Sequence, residues 1–169
     1  QRMRQYATEA LKARSEVRHS RRRLADLART NAVIQAQAAA VGVGTACVLW
    51  VHLGDPRHYH CGAAYRKAMG LNLAERSSGT WKGQLKISKR GSSQVRRWLY
   101  FAALRLVRKA AVERWYRVKK ARDGQAAGRA LVGVMRRLAL ALYAVGCHQS
   151  PFEPRRLFPG ELKELKQGD

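Results

Sequence analysis

The chain has 169 residues, which is enough for one domain of ordinary size or for a smaller domain with an appendage. Its 34 Lys and Arg residues outnumber 11 Asp and Glu residues, and the resulting net charge of +23 predicts a polyanionic partner, most simply nucleic acid. No apolar run reaches about 18 residues, so no membrane partner is expected. Three scattered cysteines without a signal-peptide pattern indicate a reducing, cytoplasmic setting.

The first part of the chain carries a heptad pattern. Its two seam positions are filled by Met3, Ala10, Val17, Leu24 and Asn31 and by Tyr6, Ala13, Ser20, Leu27 and Ile34. The pattern predicts a coiled-coil linker helix over residues 1–37, with Asn31 setting the register, and it favours self-association. Because the seam is rich in Ala, a single amphipathic helix lying on its own domain is the alternative. The charged run opens with Gln1 rather than Met, so we expect a segment of a longer protein.

The sequence pattern of residues 38–148 predicts a compact helical domain. A turn with two glycines lies near its start. Val41-Gly42-Val43-Gly44 leads into an apolar helix and resembles a helix–hairpin–helix turn, whose backbone amides contact phosphates non-specifically. The two glycines would permit a tight turn and close approach of a nucleic-acid backbone. We therefore assign Gly42 and Gly44 to nucleic-acid binding, with a plain turn between two core helices as the alternative.

A cluster of possible metal ligands follows that turn. It consists of His52, His58, His60 and Cys61. A structural zinc site needs four ligands, usually in paired spacing, and no second pair follows in the sequence. We expect these side chains to be solvated or packed in the core, and no metal site is assigned.

The central stretch from Gly70 to Tyr100 combines a Gly/Ser-rich basic loop with the start of a helix. Lys89-Arg90-Gly91 forms a predicted basic turn, and a helix opens after it at Ser92 or Ser93. Helix N-termini present unpaired N–H groups and a positive dipole end, so such a turn favours phosphate binding. The predicted phosphate-binding residues of this stretch are Arg76, Lys82, Lys86, Lys89, Arg90, Gly91, Ser92, Arg96 and Arg97.

The same loop contains two candidate nucleophiles, Ser77 and Ser78, followed by Gly79. A serine hydroxyl needs help from a base or a metal to attack, and the basic neighbours could hold a scissile phosphate and stabilise the transition state. Ser-Ser-Gly is also ordinary loop composition, so the pattern alone does not decide between the two interpretations. The carboxylates of the region are spread singly, as Asp55, Glu75, Glu113 and Asp123. We therefore expect no two-metal nuclease site in this chain.

The rest of the chain is predicted to be helical. Apolar residues at 3–4 spacing predict one helix from Ser93 to about Lys120, and a last helix from about Ala126 to Val145. Trp115 and Tyr116 either close the core or stack on bases, and we favour the core. A tail over residues 149–169 is expected to be mostly extended, with a short charged helix near its end. No strand signal is strong, so the predicted fold is all-α, or mainly α.

Four motifs in fixed order connect the central stretch with a known family. They are Gly70-Leu71, Ser78-Gly79, Ile87-Ser88-Lys89-Arg90-Gly91 and Arg96-Arg97-Trp98-Leu99. With them the chain resembles the C-terminal transposase domain of the one-ten/eleven-eleven group of insertion sequences. The resemblance covers about residues 35–146, and the heptad before it fits the family's coiled-coil linker.

The resemblance implies an RNA-guided DEDD recombinase that cuts and rejoins DNA. An element-encoded guide RNA (bridge RNA or seekRNA) would pair with donor and target DNA, and the protein would assemble as dimers and tetramers in the prokaryotic cytoplasm, at the nucleoid when active. The family's serine before glycine falls on Ser78, which would form a covalent phosphoserine link. Because Ser77 stands where the family often has a different residue, the choice between Ser77 and Ser78 stays open.

The chain departs from the family in lacking the N-terminal RuvC-like domain with its four acidic metal ligands. We therefore expect a fragment or part of a larger protein that is inactive alone. It should bind no cofactor itself, with Mg²⁺ expected in the missing domain. A non-catalytic basic RNA- or DNA-binding module is the alternative function. A ribosome-associated basic protein would explain the charge but not the Ser-Gly loop.

Overall fold

The protein is mainly helical, as predicted from its sequence. The computed structural model describes residues 2–74 and 86–158. Within these ranges the helices are α1 Arg2–Arg29, α2 Ala32–Val41, α3 Val43–Leu53, α4 Gly62–Ala68, α5 Ser93–Leu106, α6 Ala110–Arg122 and α7 Ala127–His148. Two short strands, β1 Leu73–Ala74 and β2 Lys86–Ile87, pair antiparallel, and 3₁₀ turns cover Pro56–His58 and Pro154–Leu157.

Helix α7 forms the centre of the core. Its apolar residues recur at 3–4 spacing and give one buried face, as the sequence predicted. The buried members include Leu131, Val134, Leu138, Leu142 and Val145. Helices α2, α4, α5 and α6 all pack against this face. By length and composition α7 could also cross a membrane, but half of its most apolar window is buried in the protein, and core helices of soluble proteins pass the same test.

A buried glutamine ties α7 to two other helices. The Gln37 amide on α2 donates to the Tyr65 hydroxyl on α4 at 3.2 Å and to the Leu142 carbonyl on α7 at 3.1 Å. Burial raises the pKa of Tyr65 to about 12, so this phenol stays neutral at physiological pH. The absence of a side chain at Gly146 leaves room for the amide, because a Cβ there would lie 3.1 Å from its nitrogen. One side chain therefore holds α2, α4 and α7 in register.

The N-terminal helix ends earlier than the heptad predicted. Helix α1 stops at Arg29, and the Asn31 side chain accepts from the backbone N–H groups of Val33 and Ile34, both at 3.0 Å. Asn31 is thus the N-cap of α2, and the prediction that it sets a seam register inside a continuous helix is wrong. Asparagine favours caps over helix interiors because its short side chain competes for nearby backbone groups.

Most of the apolar seam of α1 does not pack on the domain. Residues 2–24 are exposed. The contacts of α1 with α2 and α3 lie near its C-terminal end. Met3 is 81% exposed and Val17 is 51% exposed. The alternative of an amphipathic helix lying on its own domain is therefore wrong for this part of α1. Pairing of the seam with another chain stays a prediction.

The helix predicted from Ser93 to Lys120 is broken into α5 and α6. At the break, the Lys109 amide donates to the Leu106 carbonyl at 3.0 Å, so the chain tightens into i→i+3 bonds without a Gly or Pro. The change of direction buries Val112 and brings Trp115 against Phe158, with ring centroids 4.2 Å apart. The prediction that Trp115 closes the core is confirmed. Phe158 and Leu157 are buried, so the start of the C-terminal tail packs on the domain.

The Gln37 contact makes a testable prediction about stability. We expect Gln37→Ala to lower the free energy of unfolding by about 2–4 kcal/mol, because it removes two buried hydrogen bonds and leaves a cavity. Tyr65→Phe should cost only about 1 kcal/mol, since the Gln37 amide keeps its bond to the Leu142 carbonyl. Urea denaturation followed by circular dichroism measures both. Equal, small losses from the two variants would show that the glutamine is not a tie between helices.

Candidate nucleic-acid interface

A tight basic turn connects β2 to α5. The Ser88 amide donates to the Asn72 carbonyl at 2.7 Å, and the Lys89 amide donates to the Gly70 carbonyl at 3.2 Å. Lys89 itself has a φ of 55°, in the left-handed region that lysine rarely adopts. These bonds fix the turn on the segment that follows α4, with the Lys89 and Arg90 residues exposed.

Two glycines interlock at the base of this turn. Gly91 has a φ of 135°, and a Cβ there would lie 2.9 Å from the Gly70 nitrogen and closer still to the Ala68 carbonyl oxygen. Gly70 has a φ of 70°, and its own Cβ would lie 2.8 Å from the Arg90 carbonyl oxygen. Both positions combine a positive φ with a backbone neighbour that cannot move aside, so only glycine fits.

Arg96 braces the interlocked glycines from α5. Its Nη1 donates to the Gly91 carbonyl at 2.9 Å. The sequence predicted Arg96 as a phosphate ligand, which stays a prediction, and in the structure its hydrogen bond holds the turn. A guanidinium has five donors, so this bond leaves others for a ligand.

The N-terminus of α5 opens directly beyond the turn, as the sequence predicted. The Ser92 hydroxyl accepts from the Val95 amide at 3.3 Å and so caps the helix. First-turn amides of a helix have no intrahelical partner and carry the positive end of the dipole. Around them lie the exposed residues Lys86, Lys89, Arg90 and Arg97. This group, which we call the basic turn, suits the backbone of a nucleic acid.

The serine-bearing loop begins and ends at the basic turn. Leu73 pairs with Ile87 and Ala74 pairs with Lys86, so the two ends of segment 75–85 leave from neighbouring backbone positions. The predicted residues Arg76, Ser77, Ser78, Gly79 and Lys82 lie outside the described residues. Their assignment as nucleophile and phosphate ligands therefore stays a prediction, as does that of the other predicted site residues.

The glycine turn predicted as helix–hairpin–helix-like packs against α5, the helix that follows the basic turn. Gly42 is the single residue between α2 and α3, with a φ of 84°. A Cβ at Gly44 would lie 3.5 Å from the Trp98 ring, so the turn packs against α5. Trp98 follows Ser92 by about 9 Å along the helix axis, at 1.5 Å per residue. The two predicted nucleic-acid sites therefore share one supporting helix.

A cavity of about 620 Å³ runs along the glycine turn. Its basic lining residues are Arg21, Arg105 and Lys109, which come from α1, α5 and the break before α6. The Arg105 Nη2 donates to the Val41 carbonyl at 2.9 Å and so caps the C-terminus of α2. The sequence analysis did not assign Arg105 or Lys109 to a site, because nothing in the sequence relates them to residues more than 60 positions away.

The carboxylates in the described ranges do not form a metal site. No three His, Cys, Asp or Glu side chains converge within residues 2–74 and 86–158. Asp55 is bonded to Arg57 at 2.6 Å, and this hydrogen bond lowers the pKa of the Asp55 carboxyl. Asp123 is bonded to Lys119 at 2.6 Å and Glu113 to Arg117 at 2.5 Å. These acids are separate and already paired, and the Mg²⁺ that the family resemblance implies was expected on the RuvC-like domain and not on these residues.

Comparison with known families now identifies the chain. The model of the transposase IS116/IS110/IS902 family matches residues 32–117, which is just over half of the chain. The chain belongs to this transposase family. The match begins with α2 and includes the glycine turn at Gly42, the paired strands β1 and β2, the basic turn and α5. A search of the curated proteins gave no match. Membership gives this transposase domain a role in transposition and DNA as a partner.

The interlocked glycines allow a direct test of the basic turn. We expect Gly91→Ala to lower the free energy of unfolding by about 2–4 kcal/mol, because the new Cβ meets backbone atoms at a strained φ. DNA affinity should fall with it, since the Lys89 and Arg90 residues lose their placement. Thermal unfolding and fluorescence anisotropy with a DNA duplex measure the two effects.

Gly128→Ala is the matched control. Nothing lies within 4 Å of a Cβ at Gly128, and its backbone is already helical. We expect unchanged or slightly higher stability, by up to about 1 kcal/mol, and unchanged DNA binding. A Gly91→Ala variant as stable as the Gly128→Ala variant would contradict the close approach described here.

Proposed function

We propose that this chain is the serine-bearing domain of an insertion-sequence transposase that cuts and rejoins DNA under the guidance of an element-encoded RNA. Ser78 would be the nucleophile, and the reaction would pass through a covalent phosphoserine. The observation that carries the proposal is the antiparallel pair of β1 and β2, which the backbone hydrogen bonds of the basic turn hold in place. Within the segment that matches the transposase family, it starts and ends the Ser-Gly loop beside a capped helix N-terminus and exposed basic residues.

The proposed chemistry is a pair of phosphoryl transfers. The Ser78 hydroxyl oxygen would attack a DNA phosphorus, forming a serine–phosphate ester as the bond to the leaving strand oxygen breaks. The hydroxyl proton is released as the new ester forms, and the leaving oxygen takes up a proton. In the second transfer, the hydroxyl of another strand end would attack the phosphoserine and restore the serine. No net hydrolysis is needed, so the phosphodiester energy is kept for rejoining.

The basic turn would supply the electrostatic part of this reaction. The charges of Lys86, Lys89 and Arg90 lie at the root of the loop, where they can hold a DNA backbone and stabilise the negative charge on the phosphoryl oxygens in the transition state. Mg²⁺ would belong to the RuvC-like domain that the family resemblance implies. No step is assigned to a metal on this chain, and the chain alone would bind nucleic acid without joining strands.

The partners would be donor DNA, target DNA and a guide RNA. A net charge of +23 exceeds what one short duplex contact needs and is consistent with more than one polyanion bound at once. A second candidate function is a non-catalytic module that only positions nucleic acid, since the basic turn could bind a backbone without any serine. Both functions predict salt-sensitive binding. For duplex DNA, the slope of the logarithm of the binding constant against the logarithm of the salt concentration should be about −0.9 per neutralised phosphate. Strand joining separates them.

Two neighbouring serine variants test the assignment. We expect Ser78→Ala to abolish strand joining, because no oxygen remains to form the phosphoserine, while DNA and RNA affinity stay within about twofold of wild type. Ser77→Ala is the matched control and should be mild. The assay is strand joining on labelled donor and target DNA with the RuvC-like domain and guide RNA supplied. Equal loss of joining from both changes would contradict the assignment to Ser78.

The exposed seam of α1 supports a proposal about assembly. Met3, Tyr6 and Val17 lie on the predicted seam and are all more than half exposed. An isolated helix with such a face is poorly stabilised in water, whereas two copies could bury the seam in a coiled coil. We therefore propose that α1 joins this domain to a second copy of the chain.

Charge placed on the seam should break this assembly. We expect Tyr6→Glu combined with Val17→Glu to weaken dimerisation at least about tenfold, because each glutamate would be buried against its symmetry mate. Leu11→Glu is the control, since Leu11 is 66% exposed but lies off the seam. Light scattering coupled to size-exclusion chromatography gives the masses. A dimer that survives the double change, or that Leu11→Glu disrupts equally, would show that α1 does not pair through this face.

A further inference from the structure

A cleft separate from the basic turn lies between α4, α7 and the C-terminal segment. It has a volume of about 670 Å³, within the range of small-ligand sites. Arg66 of α4 and Arg136 of α7 line its inner side, and Leu140, Pro151 and Phe152 form apolar walls. Helix α7 and the segment after it lie outside the part of the chain that matches the transposase family. We call this the arginine cleft.

The two arginines of the cleft lack partners for buried donors. The Nε atoms of both Arg66 and Arg136 are buried, and neither has a hydrogen-bond partner among the described residues. Burial, and after it the charge of Arg66, lowers the pKa of the Arg136 guanidinium. The two like charges are therefore close enough to repel each other, and the Nε donor of each is unsatisfied. Such an arrangement is unfavourable in the free protein and becomes favourable when an anion lies between the charges.

The other charged groups around the cleft are already engaged. Glu153 accepts from Arg156 at 2.9 Å, and the Arg137 guanidinium lies 4.8 Å above the Phe158 ring and donates to the Leu157 carbonyl. The carboxylate of Glu153 is thus paired with Arg156 and does not neutralise the other two arginines of the cleft. The cleft therefore keeps a net positive charge, and its lining combines charged side chains with apolar ones.

The shape of the cleft selects among anions. A phosphate on the convex surface of a duplex approaches a protein with its neighbours on both sides, so it enters a cleft between two helices and a chain segment poorly. An unpaired nucleotide can turn its phosphate inward while its base contacts apolar side chains, as bases do on single-strand binding surfaces. The apolar walls of Leu140, Pro151 and Phe152 offer such contacts.

We propose that the arginine cleft binds one unpaired nucleotide of the nucleic acid on which this transposase acts, with its phosphate between Arg66 and Arg136 and its base against Pro151 and Phe152. The proposal rests on the nucleic-acid function of the chain but not on Ser78 as the nucleophile. It adds recognition of single-stranded or looped segments to the backbone binding assigned to the basic turn.

Charge removal in the cleft tests this proposal. Arg66→Met and Arg136→Met keep an unbranched side chain similar to the aliphatic part of arginine and remove the guanidinium. By fluorescence anisotropy at physiological salt, we expect each variant to bind a labelled single-stranded oligonucleotide about tenfold more weakly, and a duplex of the same sequence less than twofold more weakly. Arg122→Met, at the exposed end of α6, is the charge-matched control and should weaken both only slightly. Single-stranded RNA and DNA of one sequence show which of the two the cleft prefers.

Stability and cross-linking complete the test. Because each change relieves repulsion between like charges, the free variants should melt at the same or a higher temperature than wild type, and the oligonucleotide should stabilise wild type alone. With wild-type protein, an oligonucleotide carrying 4-thiouridine should cross-link to Phe152 or Trp115 on irradiation. The proposal is overturned if single-strand affinity survives both Met changes, if duplex binding falls as much, or if the cross-links map only to residues outside the cleft.

Discussion

The arrangement of the candidate nucleic-acid interface depends on how closely two pieces of backbone approach each other. Gly91 lies against Ala68 and Gly70 at a distance that excludes any side chain, and Arg96 closes the contact from α5. This contact fixes the turn before α5, and the turn fixes both the helix N-terminus and the root of the hairpin. The charged residues need no strong contacts of their own, because the backbone beneath them is already held in place.

A single helix supports both turns of the candidate nucleic-acid interface. Helix α5 carries the basic turn at its N-terminus and supports the glycine turn through Trp98 about two turns later. Helix α5 packs against α7, and the hydrogen bonds of Gln37 connect α2 with α4 and α7. The arginine cleft opens elsewhere on α7. Buried helices thus provide rigidity, and short turns and a cleft between them provide the positive charge.

The sequence was sufficient to predict the mainly helical class, the start of α5 and the apolar face of α7, because caps and 3–4 periodicity are local signals. It was insufficient at Asn31, where a cap and a seam position have the same sequence pattern, and at the break after Leu106, which no Gly or Pro marks. The partnership of Arg66 with Arg136 joins residues far apart in the chain. Only the packing of α4 on α7 brings them together, so no sequence pattern could have assigned that cleft.

The most direct test of the account is a search for DNA covalently attached to this chain. The chain would be combined with the RuvC-like domain, Mg²⁺, guide RNA and labelled DNA, and the products would be separated on a denaturing gel and mapped by mass spectrometry. The account predicts an adduct whose phosphate is on Ser78. A preparation that recombines DNA without any adduct on Ser78 would contradict it and leave the domain as a module that positions nucleic acid.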